Sequence, residues 1–218
     1  MKKSFLVLAV YLLLIGSSIS QVKISGGILG GLNLANLTVD PEPAGISLDN
    51  LTGFGVGGVF NFEFAGGFSI QAEPMYLQGG AQTTISEQGI SVDLKIKVDY
   101  ISIPVLFTYV FQTGENRIQP YIFAGPDLGF LMSANASGEA GGITADLDIK
   151  DSLKTFDFSA LFGAGVNIPV GVNTIFVEGR YSLGFININN SDFLSSSAVT
   201  IKTKGIQFFA GIRFPFGS

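Results

Sequence analysis

The 218-residue chain contains no cysteine, no histidine and no tryptophan, and only 13% of it is charged. Without cysteine there is no disulfide, no thiolate metal site and no lipid-modified anchor. Without histidine the usual general base is missing, which removes Ser-His hydrolysis. Beyond the N-terminus no run of eighteen apolar residues occurs, so no transmembrane helix is expected. Nothing after residue 20 reads as an amphipathic helix. A net charge of −5 argues against a nucleic-acid partner. ILGGLN (28–33) is not a phosphate loop, because no Lys-Ser or Lys-Thr follows it.

What is present is greasy residues in alternation. The chain is 47% hydrophobic, and its mean hydropathy is +0.46. From Phe54 to Phe64 every second residue is apolar apart from one glycine: Phe54, Val56, Gly58, Phe60, Phe62 and Phe64. A period of two is a β-strand signal. High hydrophobicity without a helical span is what lipid-facing strands produce. With no second layer to cover the apolar face, lipid is its remaining partner. The 29 glycines suit turns and a crowded small lumen.

The first twenty residues read as a secretory signal. Lys2 and Lys3 are followed by an apolar stretch from Phe5 to Ile15, then by small residues permitting cleavage after Ser20. The barrel domain then covers residues 21–218. The expected fold is all-β, an eight-stranded antiparallel up-and-down transmembrane β-barrel. Strands are expected near Val22–Leu34, Gly53–Phe64, Phe68–Leu77, Tyr100–Phe111, Ile118–Met132, Phe156–Ile168, Thr174–Phe185 and Gly205–Phe216. Short turns fall at Ala65–Gly67, Thr113–Asn116 and Pro169–Asn173. The other connections, near 35–52, 78–99, 133–155 and 186–204, are long. Short periplasmic turns and long external loops are the habit of outer-membrane barrels. Both termini are therefore expected in the periplasm. Pro74, Pro104, Pro120 and Pro126 fit a closed ladder poorly and point to bends or bulges.

The apolar parity inverts near the expected outer edge. It passes to Leu77, Ala81 and Ile85; to Val92, Leu94, Ile96 and Val98; and to Ile186, Ile188, Val199 and Ile201. If register is kept, the strands continue above the membrane around a small apolar cap. A bulge at each junction gives the same local pattern.

Six segments carry a family resemblance: GGLNLANLT (30–38), EPMYLQGGA (73–81), DYISIPVLFTY (99–109), PYIFAGPDLGFLMSA (120–134), VEGRYSLGF (177–185) and GIQFFAGIRF (205–214). In their order and spacing they resemble the PorT-type outer-membrane β-barrel, or "porin family", proteins of Gram-negative bacteria. The resemblance implies eight strands and an outer-membrane location, and it implies no single activity. Gly217 and Ser218 follow Phe216, a departure from barrels that end on an aromatic residue.

The inward parity carries Lys23, Glu63, Glu73, Asp127, Asp157, Glu178, Arg180 and Arg213. Crowded in a narrow lumen, these form a structural salt-bridge network, a proton or ion path, or an acid pair like that of barrel proteases. Arg180 is expected to meet Glu73 at mid-height, and Arg213 to sit lower, near Glu63, Lys23 and Glu178. Asp146, Asp148 and Asp151 have a loose calcium-like spacing, but no closing glycine and glutamate follow. No cofactor, metal or catalytic residue is expected. Three classes of function stand open: a plugged structural or surface-interaction barrel, a narrow channel or transporter for small solutes or an accessory part of a secretion machinery, and an outer-membrane enzyme. The absence of histidine makes the enzyme the weakest of the three. The expected partners are outer-membrane lipid and a protein at the external strand edges.

Overall fold

The computed structural model describes residues 22–42, 47–87, 90–111, 118–190 and 199–216. The proposed signal segment and the Thr113–Asn116 turn lie outside the described residues. Ten antiparallel strands form one sheet: β1 (Lys23–Asp40), β2 (Asp49–Glu63), β3 (Phe68–Ala72), β4 (Met75–Glu87), β5 (Ile90–Val110), β6 (Gln119–Ala140), β7 (Ile143–Asp148), β8 (Phe156–Val170), β9 (Asn173–Gly184) and β10 (Thr200–Phe216). β2 pairs with β3 and then β4, and both pair with β5. From β5 the pairings run through β6, β8, β9 and β10 to β1, which returns to β2. Counting β3 and β4 as one broken strand and setting β7 aside, eight staves each have a partner on both sides.

The break between β3 and β4 comes from Pro74, which has no N–H to give. Around it the ladder is patched by single bonds: the Glu73 N–H donates to the Pro104 carbonyl and the Gly58 N–H to the Pro74 carbonyl, both at 3.0 Å. Pro104 and Pro126 interrupt β5 against β6, whose pairing stops at Pro104↔Asp127 and resumes at Phe107↔Ala124. Gly66, with φ 79°, and Gly67, with φ 83°, make the left-handed turn between β2 and β3.

Alternation along each stave decides what meets lipid. Phe54, Val56, Phe60, Phe68, Phe107, Ile122, Phe162 and Phe208 stand exposed on the outside. Their in-between neighbours are buried, and the inward set is not made of the charged residues alone. Leu29, Val59, Leu106, Leu161, Phe176 and Phe209 also point inward. The aromatic rings fit because glycine faces them. A Cβ on Gly211 would stand 2.4 Å from Phe176 Cζ, and one on Gly55 2.6 Å from Phe209 Cζ.

The stretches expected as long loops are largely strand. β4 and β5 keep one register from Met75↔Ser102 up to Glu87↔Ile90, so Leu77, Ala81, Ile96 and Val98 all lie on the inner face. β6 solves the same problem with a bulge. Leu131 opposes Tyr100 and Ser133 opposes Asp99, leaving Met132 unopposed and reversing parity beyond it. Residues 186–188 are not strand. Instead Ile188 tucks inward beside Leu37 and Ala81, with Leu48, Leu153 and Ile201 around it. The Ile188 N–H bonds the Ile201 carbonyl at 2.9 Å, and the Lys154 N–H bonds the Ile188 carbonyl at 2.7 Å.

Hydrogen exchange on the detergent-solubilised protein checks this upper sheet. Amides of 92–98 are expected to be protected nearly as well as those of 101–107. Fast exchange throughout 92–98 would contradict the paired strand.

Candidate functional site in the lumen

β9 carries Glu178 and Arg180 two residues apart, hence on one face, and the cross-strand register sets them opposite Phe209 and Gln207 of β10. Glu73, at the strand break, has its side chain fully buried. Arg180 Nη1 donates to Glu73 Oε2 at 2.7 Å, and its Nη2 donates to Glu178 Oε1. The Tyr121 hydroxyl donates to Glu178 Oε2 at 2.6 Å, and Gln71 Nε2 donates to Glu73 Oε1. The Arg180 guanidinium also lies over the Phe209 ring, 4.5 Å from its centroid. A buried guanidinium thus has two carboxylates and an aromatic face, the partners a desolvated cation needs.

Arg213 sits lower, lining the lower chamber together with Glu63 and close enough to Glu178 and Glu63 to act on both electrostatically, but among the described residues no ion pair joins it to a carboxylate. Its Nη1 donates to Gln71 Oε1 at 3.0 Å and its Nη2 to Asn167 Oδ1 at 2.6 Å, with its Cζ 5.2 Å from the Phe176 centroid. Glu178 is already taken by Arg180 and Tyr121. Lys23 and Glu63 face one another across β1 and β2 at the strand ends, where both are exposed rather than buried in the lumen. Both ion pairs found among the described residues belong to Arg180. Through Gln71 the two guanidiniums nevertheless share one hydrogen-bonded chain, from Asn167 through Arg213, Gln71, Glu73, Arg180 and Glu178 to Tyr121.

Asp127 and Asp157 are buried higher up, apart from this chain. Asp127 accepts from Ser102 Oγ at 2.6 Å. Asp157 accepts from Thr203 Oγ1 at 2.7 Å and from the Phe158 N–H at 2.8 Å. Two chambers flank the Arg180 layer. The lower, of about 130 Å³, is lined by Asn61, Gln71, Thr108 and Arg213. The upper, of about 50 Å³, is lined by Asn33, Tyr100, Ser102, Asp127 and Asp157. The two chambers share no lining residue. Asp146 and Asp148 stand exposed on β7, and Asp148 Oδ1 accepts from the Lys150 N–H at 2.9 Å.

Gln71, Asn167 and Tyr121 were missed as members of the network, although all three lie on the inward parity. Neutral amides and a phenol carry no charge to announce them.

Known proteins bear on the fold. The family model described as "Outer membrane protein beta-barrel domain" matches residues 19–190. No curated protein matches the chain. Among solved structures the chain is similar to Neisserial surface protein A, at 15% identity over 89% of this chain and 97% of that one, with a TM-score of 0.49. It is also similar to Ail, the attachment invasion locus protein of Yersinia pestis, at 16% identity, 87% and 98% coverage and a TM-score of 0.41. A third likeness is to the outer membrane protein AlkL in lipid bilayers, at 15% identity, 88% and 91% coverage and a TM-score of 0.39.

The Arg180 cluster makes a double-mutant test direct. Arg180→Met leaves two buried carboxylates without their cation and is expected to destabilise by about 3–5 kcal/mol. Adding Glu73→Met is expected to recover part of that loss, with a coupling energy of at least about 1 kcal/mol in the cycle. Denaturant unfolding in lipid vesicles measures it, and simple additivity of the two changes would refute the coupling.

Proposed function

The chain belongs to the outer membrane protein beta-barrel domain family, and from that premise we propose a plugged barrel that presents its external strands to a protein partner. It is an outer-membrane protein in contact with lipid. Cleavage after Ser20, periplasmic termini and a place among the PorT-type members belong to the same proposal. The alternation of short turns and long connections supports the orientation, and the six segments from 30–38 to 205–214 support the PorT-type placement.

A closed lumen is supported by its filling. Phe123, Phe176, Phe209, Leu106 and Leu161 are buried inside, Phe123 and Phe209 against Arg180 and Phe176 against Arg213, and the chambers above and below share no lining residue. An eight-stranded barrel leaves room for side chains and little else. This favours an interaction role over solute passage.

The observation that carries the proposal is β7. It pairs with β6 alone, and all six of its residues are exposed. On the other side of the upper sheet, β4 pairs with β5 alone beyond Gln82. An exposed edge offers unpaired N–H and C=O groups to a strand from another chain.

Two measurements test the two halves. In planar bilayers the purified protein is expected to give no steady large conductance, and such a conductance would remove the plug. Ala145→Pro should disrupt β7 while the membrane staves still fold, as shown by heat-dependent gel migration. Binding of surface partners is expected to fall to background with that change. Undiminished binding would rule out the β7 edge.

A further inference from the structure

We propose that the upper lumen is a binding site for a small monovalent cation, held between Asp127 and Asp157. The inference begins with charge. Six of the charged side chains on the inward face are buried: Glu73, Asp127, Asp157, Glu178, Arg180 and Arg213. The central four, Glu73 and Glu178 with Arg180 and Arg213, sum to zero. Asp127 and Asp157 are then a surplus of two negative charges in a low-dielectric interior, where an uncompensated charge is costly. Arg180 is close enough to act electrostatically on Asp127, but both its terminal nitrogens are engaged by Glu73 and Glu178. Lys204 reaches the chamber's lining, yet no ion pair among the described residues joins it to either aspartate.

Geometry brings the two carboxylates to one place. Asp127 opposes Ser159, and Asp157 opposes Gly129, on neighbouring strands β6 and β8. They are therefore diagonal neighbours on the same face of the sheet. Gly129 leaves the ground beside them bare, and Tyr100 packs over it. A Cβ at Gly129 would lie 3.3 Å from Tyr100 Cδ1 and 3.4 Å from Asp157 Cβ.

Two further side chains point to a missing ligand. Tyr100 and Asn33 line the chamber and are only 6% and 4% exposed. The Tyr100 hydroxyl and Asn33 Oδ1 have no hydrogen-bond partner. Asn33 is held by its other end, since Nδ2 donates to the Gln78 carbonyl at 2.8 Å. The chamber thus gathers two carboxylates, an amide oxygen and a phenol oxygen, all able to accept and none matched by a positive charge. That donor set suits a hard cation with oxygen ligands. A volume of about 50 Å³ admits a few waters, or a sodium, potassium or ammonium ion, and excludes bulky quaternary ammonium.

The test compares chloride salts at fixed ionic strength on the intact barrel in detergent. Sodium, potassium or ammonium chloride is expected to stabilise the fold saturably relative to tetramethylammonium chloride. At ten times the dissociation constant the folded-to-unfolded ratio should rise about tenfold. Asp157→Asn and Asp127→Asn should each abolish the difference. If either variant fails to fold, ²³Na relaxation on the wild-type protein decides: line broadening should be relieved by potassium and not by tetramethylammonium. Equal stability in all four salts would overturn the site, meaning that the aspartates are neutral or satisfied by water. An undiminished cation effect in Asp157→Asn would overturn it as well.

Discussion

In hydrocarbon no water is available to an unpaired backbone N–H or C=O, and each one left bare costs several kcal/mol. The sheet is therefore obliged to pair every stave on both sides at membrane level. That obligation governs the rest of the molecule. A sheet closed on eight staves has a narrow inside, so half of all strand residues are forced into a space only side chains can fill. Phe176 and Phe209 occupy it because Gly211 and Gly55 yield to them. Even the flaw in the ladder obeys the rule. Pro74 removes one donor, and the Glu73 N–H and Pro74 carbonyl find partners on Pro104 and Gly58. The same bend leaves Glu73 fully buried where Arg180 can reach it.

On the proposed placement of the upper strands outside the membrane, the obligation lifts there and the sheet changes character. The apolar face turns inward around Leu37, Ala81 and Ile188. The outer face carries Asp93, Lys95 and Lys97, as water requires. An unpaired edge is now tolerable, and β7 has one. The transition is handled in two ways within a few residues: β5 keeps register and changes composition, whereas β6 inserts Met132 and changes parity.

How much of this the sequence announces depends on the kind of interaction. The staves are legible because lipid demands an unbroken period of two, as from Phe54 to Phe64. The inward positions of Glu73, Glu178 and Arg180 follow from the same parity. What parity does not reveal is height and reach. Arg213 lies on the expected face, but its partners depend on which neighbours Arg180 has already taken, a fact of three-dimensional competition. The inward aromatics were hidden for a related reason. Phe176 and Phe209 look like lipid-facing residues until their alternation with Ile175, Val177 and Phe208 is matched to a register. β7 shows in the sequence only as Ala145 and Leu147 alternating with Asp146 and Asp148, because an exposed strand lacks the dense apolar signal of a membrane stave. The continuation of the strands beyond the expected membrane edge was legible too: the parity inversion at 77–85 and 92–98 announces it, and β4 and β5 run in one register there.

The proposed plugged lumen and the extended strands make mechanical sense together. A sheet projecting into water on strands continuous with the barrel is only as rigid as its base. The base is held by cross-lumen contacts that tie distant staves: Glu73 to Arg180 across 107 residues of sequence, and Gln71 to Arg213 across 142. Such bonds do little for a wide pore, which needs its interior wet and open. They suit a barrel whose interior is a brace, because buried charges in contact admit one arrangement and penalise others. On this view the polar interior is the price of closure turned to use. Residues that the closed sheet forces inward lock the staves in register, and that register is carried upward into the strands that stand clear of the membrane.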